Sequence, residues 1–314
     1  MGHGRSTTDL SARQALYPAT IEAAVLLRTE SELVRQLKSA IPRIPPLPRI
    51  QSGTPSAQIQ TADRNATDVI AASYKPGDHI HNVENIGLEP VWPYNLIGDT
   101  SPLFQLARQT YSLRPNPANV DWNYDPIQAA RLGLGSEVSD TLVKITKVNQ
   151  LYINGFAKWG VNDHEFYVEQ IANVALALQE ALVQDYDGVI RIAPAVPPGW
   201  DVDGSVSARF KTTVNVQVRN GIPSAVGLNT ERRQPIKFRT PWPGEKVSVT
   251  DARKGVTVVR ASRASVISFA ASAGGRYRIH KTKASPEKGF DSVDGTPATS
   301  LRRLGSVQIG LGPA

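Results

Sequence analysis

The sequence predicts a multidomain α and β protein: paired helices in the pattern of an α/α toroid, read as a half-toroid, followed by an antiparallel β-sandwich. Three observations predict it. Apolar residues recur at helical spacing through the first 185 residues, in paired segments of similar length joined by loops. At Asp187-Gly188 the period changes from 3.6 to 2. Charge divides along nearly the same line: residues 1–200 carry 16 Lys and Arg against 20 Asp and Glu, whereas residues 201–314 carry 19 against 8. The expected domains are therefore 1–185, 186–283 and a flexible tail over 284–314, where Gly, Pro, Ser and Lys dominate.

Helices over about 10–28 and 31–41 come first. Thr29-Glu-Ser-Glu32 reads as a capping box, and Leu33, Val34, Leu37 and Ile41 follow at helical spacing before Pro42 stops the run. Ser101-Pro102 and Asp125-Pro126 each place a capping side chain before a Pro at the first helical position, opening 103–113 and 127–134. A further helix covers 137–151, with Val138, Leu142, Ile145 and Val148 on one side. The longest covers 165–184, with Tyr167, Ile171, Val174, Leu178 and Leu182 as its apolar stripe. Beyond it, Val206, Ala208 and Phe210, then Val214, Val216 and Val218, alternate with polar neighbours, and Asn220-Gly221 supplies a tight turn. Short strands are expected near 236–239, 246–250, 257–260, 266–269 and 277–280, the spacing of a sandwich. A half-toroid leaves apolar stripes uncovered on its first two helices, at Leu16, Ile21, Leu26, Leu33 and Leu37.

Composition excludes several chemistries. There is no Cys, hence no disulfide, thiolate catalysis or Cys-based zinc site. Five His without an H-E-x-x-H spacing argue against a metal enzyme; His79-x-His81 lacks a third ligand at a recognisable distance. No metal or cofactor is expected. No apolar run reaches membrane-spanning length, and Met1-Gly-His-Gly-Arg5 leads into polar residues rather than a signal peptide's apolar core. The basic residues of 201–314 never form a run of five, which favours a solvated strand face over a nucleic-acid patch.

The densest chemistry lies in His79-Ile-His81-Asn-Val-Glu84-Asn85-Ile-Gly-Leu-Glu89-Pro-Val-Trp92-Pro93-Tyr94-Asn95. Sugar sites need this mixture: carboxylates for proton transfer, amides and imidazoles for hydroxyls, aromatic faces for C–H surfaces. His81, Glu84, Glu89 and Trp92 are the candidate substrate contacts. The same composition also fits a loop whose Trp fills a core and whose charges are solvated. Asp121-Trp122-Asn123-Tyr124 repeats the acid-plus-Trp theme and adds Trp122, although the residues alone favour helix capping by Asp125 and burial of Trp122. Glu169 falls on the helical row Phe166, Glu169, Asn173, Leu176, Glu180, beside the apolar stripe. It faces a cavity, or it is an ordinary boundary glutamate, which is the commoner case.

Together these stretches resemble glycoside hydrolase family 95, the α-L-fucosidase family of six-hairpin glycosidases. The resemblance is carried by Asp121-Trp-Asn-Tyr-Asp-Pro-Ile-Gln-Ala-Ala-Arg-Leu-Gly-Leu-Gly135, by 165–188, and by Leu182-Val-Gln-Asp-Tyr-Asp-Gly-Val-Ile-Arg-Ile-Ala-Pro-Ala-Val-Pro-Pro-Gly-Trp200. The last is similar to the family's L-L-Q-S-H-D-G…I-x-L-L-P-A-L-P…W run. The resemblance is close over 80–200 and diffuse over 10–280. It implies an (α/α)6 barrel between β-domains and an inverting mechanism, in which a glutamic acid protonates the leaving oxygen and an asparagine, polarised by an aspartate, positions water. By position the family's D-G-N-F-G aspartate corresponds to Glu169, here a longer acid without the glycines that follow it. The family's H-R-H-x-S-H-L stretch corresponds to His81–Leu88, where only part of the polar character remains.

The resemblance implies the C-terminal part of a glycosidase: six helices stand where a toroid needs twelve, and the family's general acid and asparagine pair correspond to nothing in this sequence. The implied activity is hydrolysis of an α-L-fucoside-like bond, with Glu169 catalytic and a fucosylated or related glycan as partner, no nucleic acid or membrane, and secretion as in most of the family. The alternative is a non-catalytic carbohydrate-binding or truncated structural relative lacking the general acid.

Overall fold

A computed structural model describes residues 6–51, 68–75, 84–117, 124–149, 156–157 and 166–284, together with the backbone of two short strands, Arg302–Leu304 and Val307–Ile309. Packing divides the chain into two compact units, Met1–Gln128 and Ala129–Ala314. Six α-helices are described: α1 Thr7–Leu27, α2 Ser31–Ala40, α3 Phe104–Ser112, α4 Asp125–Arg131, α5 Gly135–Asn149 and α6 Val168–Leu182. They accompany sheets whose strands pair antiparallel save for one parallel pair, Ile190 with Phe238 and Arg191 with Arg239, which departs from the purely antiparallel sandwich expected; the described helices of neither unit close into a barrel.

In the first unit α1 begins earlier than its apolar spacing suggests. Ser6 caps it by accepting the Asp9 amide at 3.0 Å. The expected capping box at 29–32 does not form. Arg28 and Glu30 both take left-handed backbone angles (φ 53° and 54°) to turn α1 into α2. That geometry makes Glu30 the cap residue, and Glu32 instead bonds Arg35 and Gln36 along the exposed face of α2. Leu16, Leu26 and Leu33 are exposed, Leu26 by 81%, while Ile21 and Leu37 are half-buried. Strands β1 (Arg49–Gln51) and β2 (Asp68–Ile70) pair antiparallel. The start of α1 is fastened to the end of β2: Thr7 donates its amide to Ala72 O (2.8 Å) and its hydroxyl to Ala71 O (2.5 Å). On α3, Thr110 accepts the Ile70 amide at 2.9 Å.

The second unit carries the sandwich. Strands β3 (Val183–Tyr186), β4 (Val189–Ile192), β8 (Gln234–Arg239) and β11 (Val266–Ala271) form one sheet in the order β11-β8-β4-β3. The other runs β10-β9-β12-β7-β6-β5, from β5 (Val202–Ala208), β6 (Thr212–Arg219), β7 (Ile222–Thr230), β9 (Val247–Asp251), β10 (Val256–Ser262) and β12 (Gly275–Lys281). The backbone strands at 302–304 and 307–309, β13 and β14, pair with each other; the rest of the tail expected over 284–314 lies, beyond Ala284, outside the described residues. The alternating residues meet in one core that includes Val214, Val216, Leu228, Phe238, Val249 and Ile279. Phe210 departs from the alternation expected of it. It sits in the β5–β6 turn at φ 55° and is 64% exposed, because β5 ends at Ala208, whose partner is Thr212.

The helix-to-sheet corner of this unit is polar. The expected helix over 165–184 ends at Leu182, since Val183 onward pairs with β4 across a turn in which Asp187 and Gly188 both have positive φ (52° and 78°), the geometry of a tight hairpin. Arg131 from α4 meets Glu180 from α6 through two contacts of 2.6 and 2.9 Å. Its guanidinium stacks on the Tyr186 ring at 4.4 Å, and Arg191 stacks on the same ring at 3.8 Å. Arg191, with 2% of its side chain exposed, is held bidentate by Asp187 at 2.9 Å twice. Gln184 ties the three elements by donating to Ala130 O (2.8 Å) and Glu180 O (3.0 Å). Burial pushes the Glu180 carboxyl above the usual carboxylate range, against the pull of Arg131. The Ala-Pro-Ala-Val segment after β4 then seals the end of α6: the amides of Ala193 and Ala195 donate to the carbonyls of Leu182 (2.7 Å) and Ala181 (3.2 Å), groups a helix terminus otherwise leaves unpaired.

These ties set which side of α6 is inside. Gln170, Asn173, Ala177, Glu180 and Ala181 are buried, whereas Leu178 from the expected apolar stripe is 43% exposed. The same happens at the end of α5, where Asn149 is buried and Val148 exposed. Both amide atoms of Gln170 and the Asn173 Nδ2 are buried without a hydrogen-bond partner among the described residues.

Two expectations follow for stability. Arg131→Met strands a buried carboxylate and should cost about 3–5 kcal/mol, much of it restored in Arg131→Met/Glu180→Leu, as read from urea midpoints of the two variants. Gln170→Met removes an unsatisfied buried amide and should raise stability by about 1–3 kcal/mol in the same assay.

Candidate functional site

The first unit folds the stretch from Asn85 to Ile97 into a coil held by its own backbone. A single 3-10 turn, Ile86–Leu88, opens it, and the amides of Val91, Tyr94 and Leu96 donate to Leu88, Glu89 and Pro90 carbonyls at 2.8–3.2 Å. The Trp92–Pro93 peptide is cis. Gly87 lets this coil lie flat on β2: a Cβ there would stand 2.4 Å from Ile70 O, so no other residue fits without displacing backbone.

The same packing brings the coil to the first turn of α1 and creates a carboxyl cluster. The Thr8 hydroxyl donates to Glu89, and Glu84 and Glu89 are near enough to interact electrostatically. Glu84 Oε2 and Glu89 Oε2 are each buried with no hydrogen-bond partner among the described residues. Burial pushes the Glu89 carboxyl above its ordinary value; the Thr8 hydroxyl lowers it and the neighbouring Glu84 charge raises it further. Tyr94 is pushed up in turn by burial, by Glu89 and by Asp9. Trp92, half-buried, meets the Tyr124 ring at 4.8 Å between centroids with 59° between planes.

A second polar group fixes the coil's entry. Asp125 is buried, but it does not cap its helix as expected: α4 starts on the carbonyl of Tyr124, which accepts from Ile127 (3.0 Å) and Gln128 (2.9 Å). Its carboxylate instead accepts from Asn85 Nδ2 (2.8 Å) and Arg114 Nε (2.7 Å). Asn85 also exchanges two 3.1 Å bonds with the Asn116 backbone, and Arg114 stacks over Tyr111 at 3.8 Å.

Of the residues singled out in the sequence, Glu84 and Glu89 are brought together and Trp92 lies in the same coil. His81 and Trp122, with His79, fall outside the described residues. Glu169 is exposed in the first turn of α6, in the second unit. Thr8 and Asp9 were missed. The signal that could have found them is Ser6-x-x-Asp9, an N-terminal helix signature that places both residues in a first turn. Among the described residues no group of three His, Asp or Glu could hold a metal, and no helix is long and apolar enough to cross a membrane.

No protein family's sequence profile matches the chain, and no curated protein matches it. Among solved structures it is similar to a glycoside hydrolase family 127 β-L-arabinofuranosidase from Geobacillus stearothermophilus T6, at 10% identity and a TM-score of 0.25. That likeness covers 50% of this chain, which spans 30% of the enzyme's.

The carboxyl cluster makes a titration prediction. Removing the neighbouring charge in Glu84→Gln should lower the Glu89 midpoint, and removing the hydroxyl in Thr8→Val should raise it, both read by NMR of the labelled Glu89 carboxyl. The folded-state value lies above that of the unfolded chain. The stabilisation Glu89 contributes is therefore full below the unfolded value and is lost as pH rises through the folded one. Glu89→Gln should accordingly gain stability over the parent at about pH 7 and lose that advantage near about pH 4.

Proposed function

We propose that the protein belongs to a carbohydrate-hydrolysing system of the family 95 type, acting on an α-L-fucoside-like bond with inversion, and that Glu89 is a proton donor in this chain. The observation that carries the proposal is the Glu89 carboxyl: buried on one oxygen, unpartnered there, and kept protonated more readily than an ordinary carboxylate. A glycosidase needs such a group to protonate the leaving oxygen, with a second carboxylate close by. Glu84 supplies the second acid, and Trp92 and Tyr124 supply the apolar surface a sugar ring stacks on. The family resemblance through residues 80–200 supports the choice of a glycan, and His81 and Trp122 remain proposed contacts on that basis.

The resemblance also selects Glu169. Its exposure in the first turn of α6 favours a second reading, in which the chain binds glycan without hydrolysing it.

The test is turnover of an aryl α-L-fucoside by the chain and by Glu89→Gln and Glu169→Gln. On the hydrolytic reading Glu89→Gln should lower kcat about 100-fold or more with the fold intact by circular dichroism. Turnover within about threefold of the parent for Glu89→Gln rejects it as a proton donor. Binding of a fucosylated oligosaccharide by calorimetry without any turnover selects the second reading, and neither binding nor turnover rejects both.

A further inference from the structure

The excess of positive charge in residues 201–314 is scattered in sequence but gathered in space. Pairing of Ala208 with Thr212 leaves Arg209-Phe210-Lys211 as the β5–β6 turn. Thr212 pairs with Thr230, so the turn leaving β7, Glu231-Arg232-Arg233, lies beside it; the Glu231 amide donates to Lys211 O at 3.1 Å. Thr230 pairs with Gly275, which puts Arg276 next in line on β12. Tyr277 pairs with Asp251, so the β9–β10 turn with Arg253 and Lys254 follows, its Ala252 amide bonded to Arg276 O at 2.8 Å. Three turns and the start of β12 thus share one end of the six-stranded sheet: the turns hold six Lys and Arg residues, and Arg276 on β12 makes seven.

The acids at this end are already engaged. Glu231 pairs with Lys211 (3.1 Å), and Asp251 faces Lys254 (4.0 Å) while accepting the Arg253 and Lys254 amides. Asp185 accepts the Arg209 backbone amide, and the guanidiniums of Arg209, Arg232, Arg233, Arg253 and Arg276, all exposed, stand in no ion pair among the described residues. The opposite end is mixed, with Lys281 paired to Glu245 at 3.7 Å and Asp201 accepting the Asn220 amide at 2.7 Å. Five unmatched guanidiniums on adjacent turns and the start of β12 repel one another and create a local positive field that an anion relieves.

We infer that this end of the sandwich binds an acidic polysaccharide, one bearing a carboxylate or sulfate along its chain. Arginine's planar fork matches both groups bidentately. Nucleic acid fits less well: the turns are short, none of them carries a helix among the described residues, and Phe210 is the one exposed aromatic among the described residues of these turns, where single strands need a row of stacking faces. The choice of a glycan rests on the carbohydrate reading above; the anion site does not.

The experiment measures binding of the chain to polygalacturonate, heparin, neutral dextran, and single-stranded and duplex DNA of similar length across a salt series. The variants are Arg232→Ser/Arg233→Ser and Arg253→Ser/Arg276→Ser at the basic end, and Lys246→Ser/Lys283→Ser as the control, each matched to the parent by thermal melt. One or both acidic polysaccharides should bind and dextran should not, with affinity falling as salt rises. Each basic-end variant should weaken binding about tenfold or more, and the control by less than about twofold. Polygalacturonate against heparin separates carboxylate from sulfate as the recognised group. Acidic polysaccharides no tighter than dextran, or equal losses in basic-end and control variants, overturn the site. DNA tighter than both polysaccharides overturns the glycan assignment. Because the readout is binding and not turnover, a chain that binds an acidic polysaccharide yet leaves aryl fucosides intact keeps this site while losing the hydrolytic reading.

Discussion

Two arginines on one tyrosine ring organise the second unit. Arg131 arrives from α4 and Arg191 from β4, and Tyr186 of β3 lies under both. Each guanidinium has its own carboxylate, Glu180 and Asp187 respectively, so the positive charges tolerate burial side by side. Everything near the corner follows from that arrangement. α6 must present Glu180 inward, which turns Asn173 and Gln170 inward about two and three turns earlier and leaves Leu178 outside. β4 must present Arg191 to the helices, which sends Ile190 and Ile192 to the core between the sheets. The approach is close enough that a Cβ on Gly204 would displace the Leu182 side chain, with Cδ2 standing 2.3 Å from where it would be, and a Cβ on Gly135 would stand 2.8 Å from the backbone Val196 O.

The run from Leu182 to Trp200 therefore has a structural meaning apart from any resemblance. Gln184 bridges helices and strand, Tyr186 is the stacking platform, Asp187-Gly188 forms the hairpin turn, and Arg191 returns to the platform. Ala193 and Ala195 close the helix end. A motif of this kind specifies a junction between a helical layer and a sheet. It is compatible with a hydrolase and with a non-catalytic relative alike, since none of its side chains carries chemistry outward.

In the first unit the constraint is Gly87 against β2, with Asn85 anchored through Asp125 to Arg114. Those contacts, and the fastening of Thr7 to Ala71 and Ala72, bring a coil and a helix start together. The result is a carboxyl environment that neither segment has alone: Glu89 receives the Thr8 hydroxyl from one side and the Glu84 charge from the other.

The sequence by itself determined the local elements. Periodicity marked α3, α5, α6 and the strands β6 and β8 to β12 to within a few residues, because side-chain period is a property of the local chain; it did not mark β7 or the β13–β14 pair. It also singled out Glu84, Glu89 and Trp92, whose acid and aromatic composition is local too. Only tertiary structure decided which face of α6 is buried, since a 49-residue separation hides the Arg131–Glu180 pair from any helical pattern. It likewise decided that Asp125 serves Asn85 rather than its own helix, 40 residues away, and that Thr8 serves Glu89. The basic residues of 201–314, read along the chain as a dispersed and solvated set, became one charged end through strand register alone. At Glu180 and at Asp125 a long-range hydrogen bond or charge pair outweighed the local preference, because a buried charge left unpaired costs more than an exposed leucine.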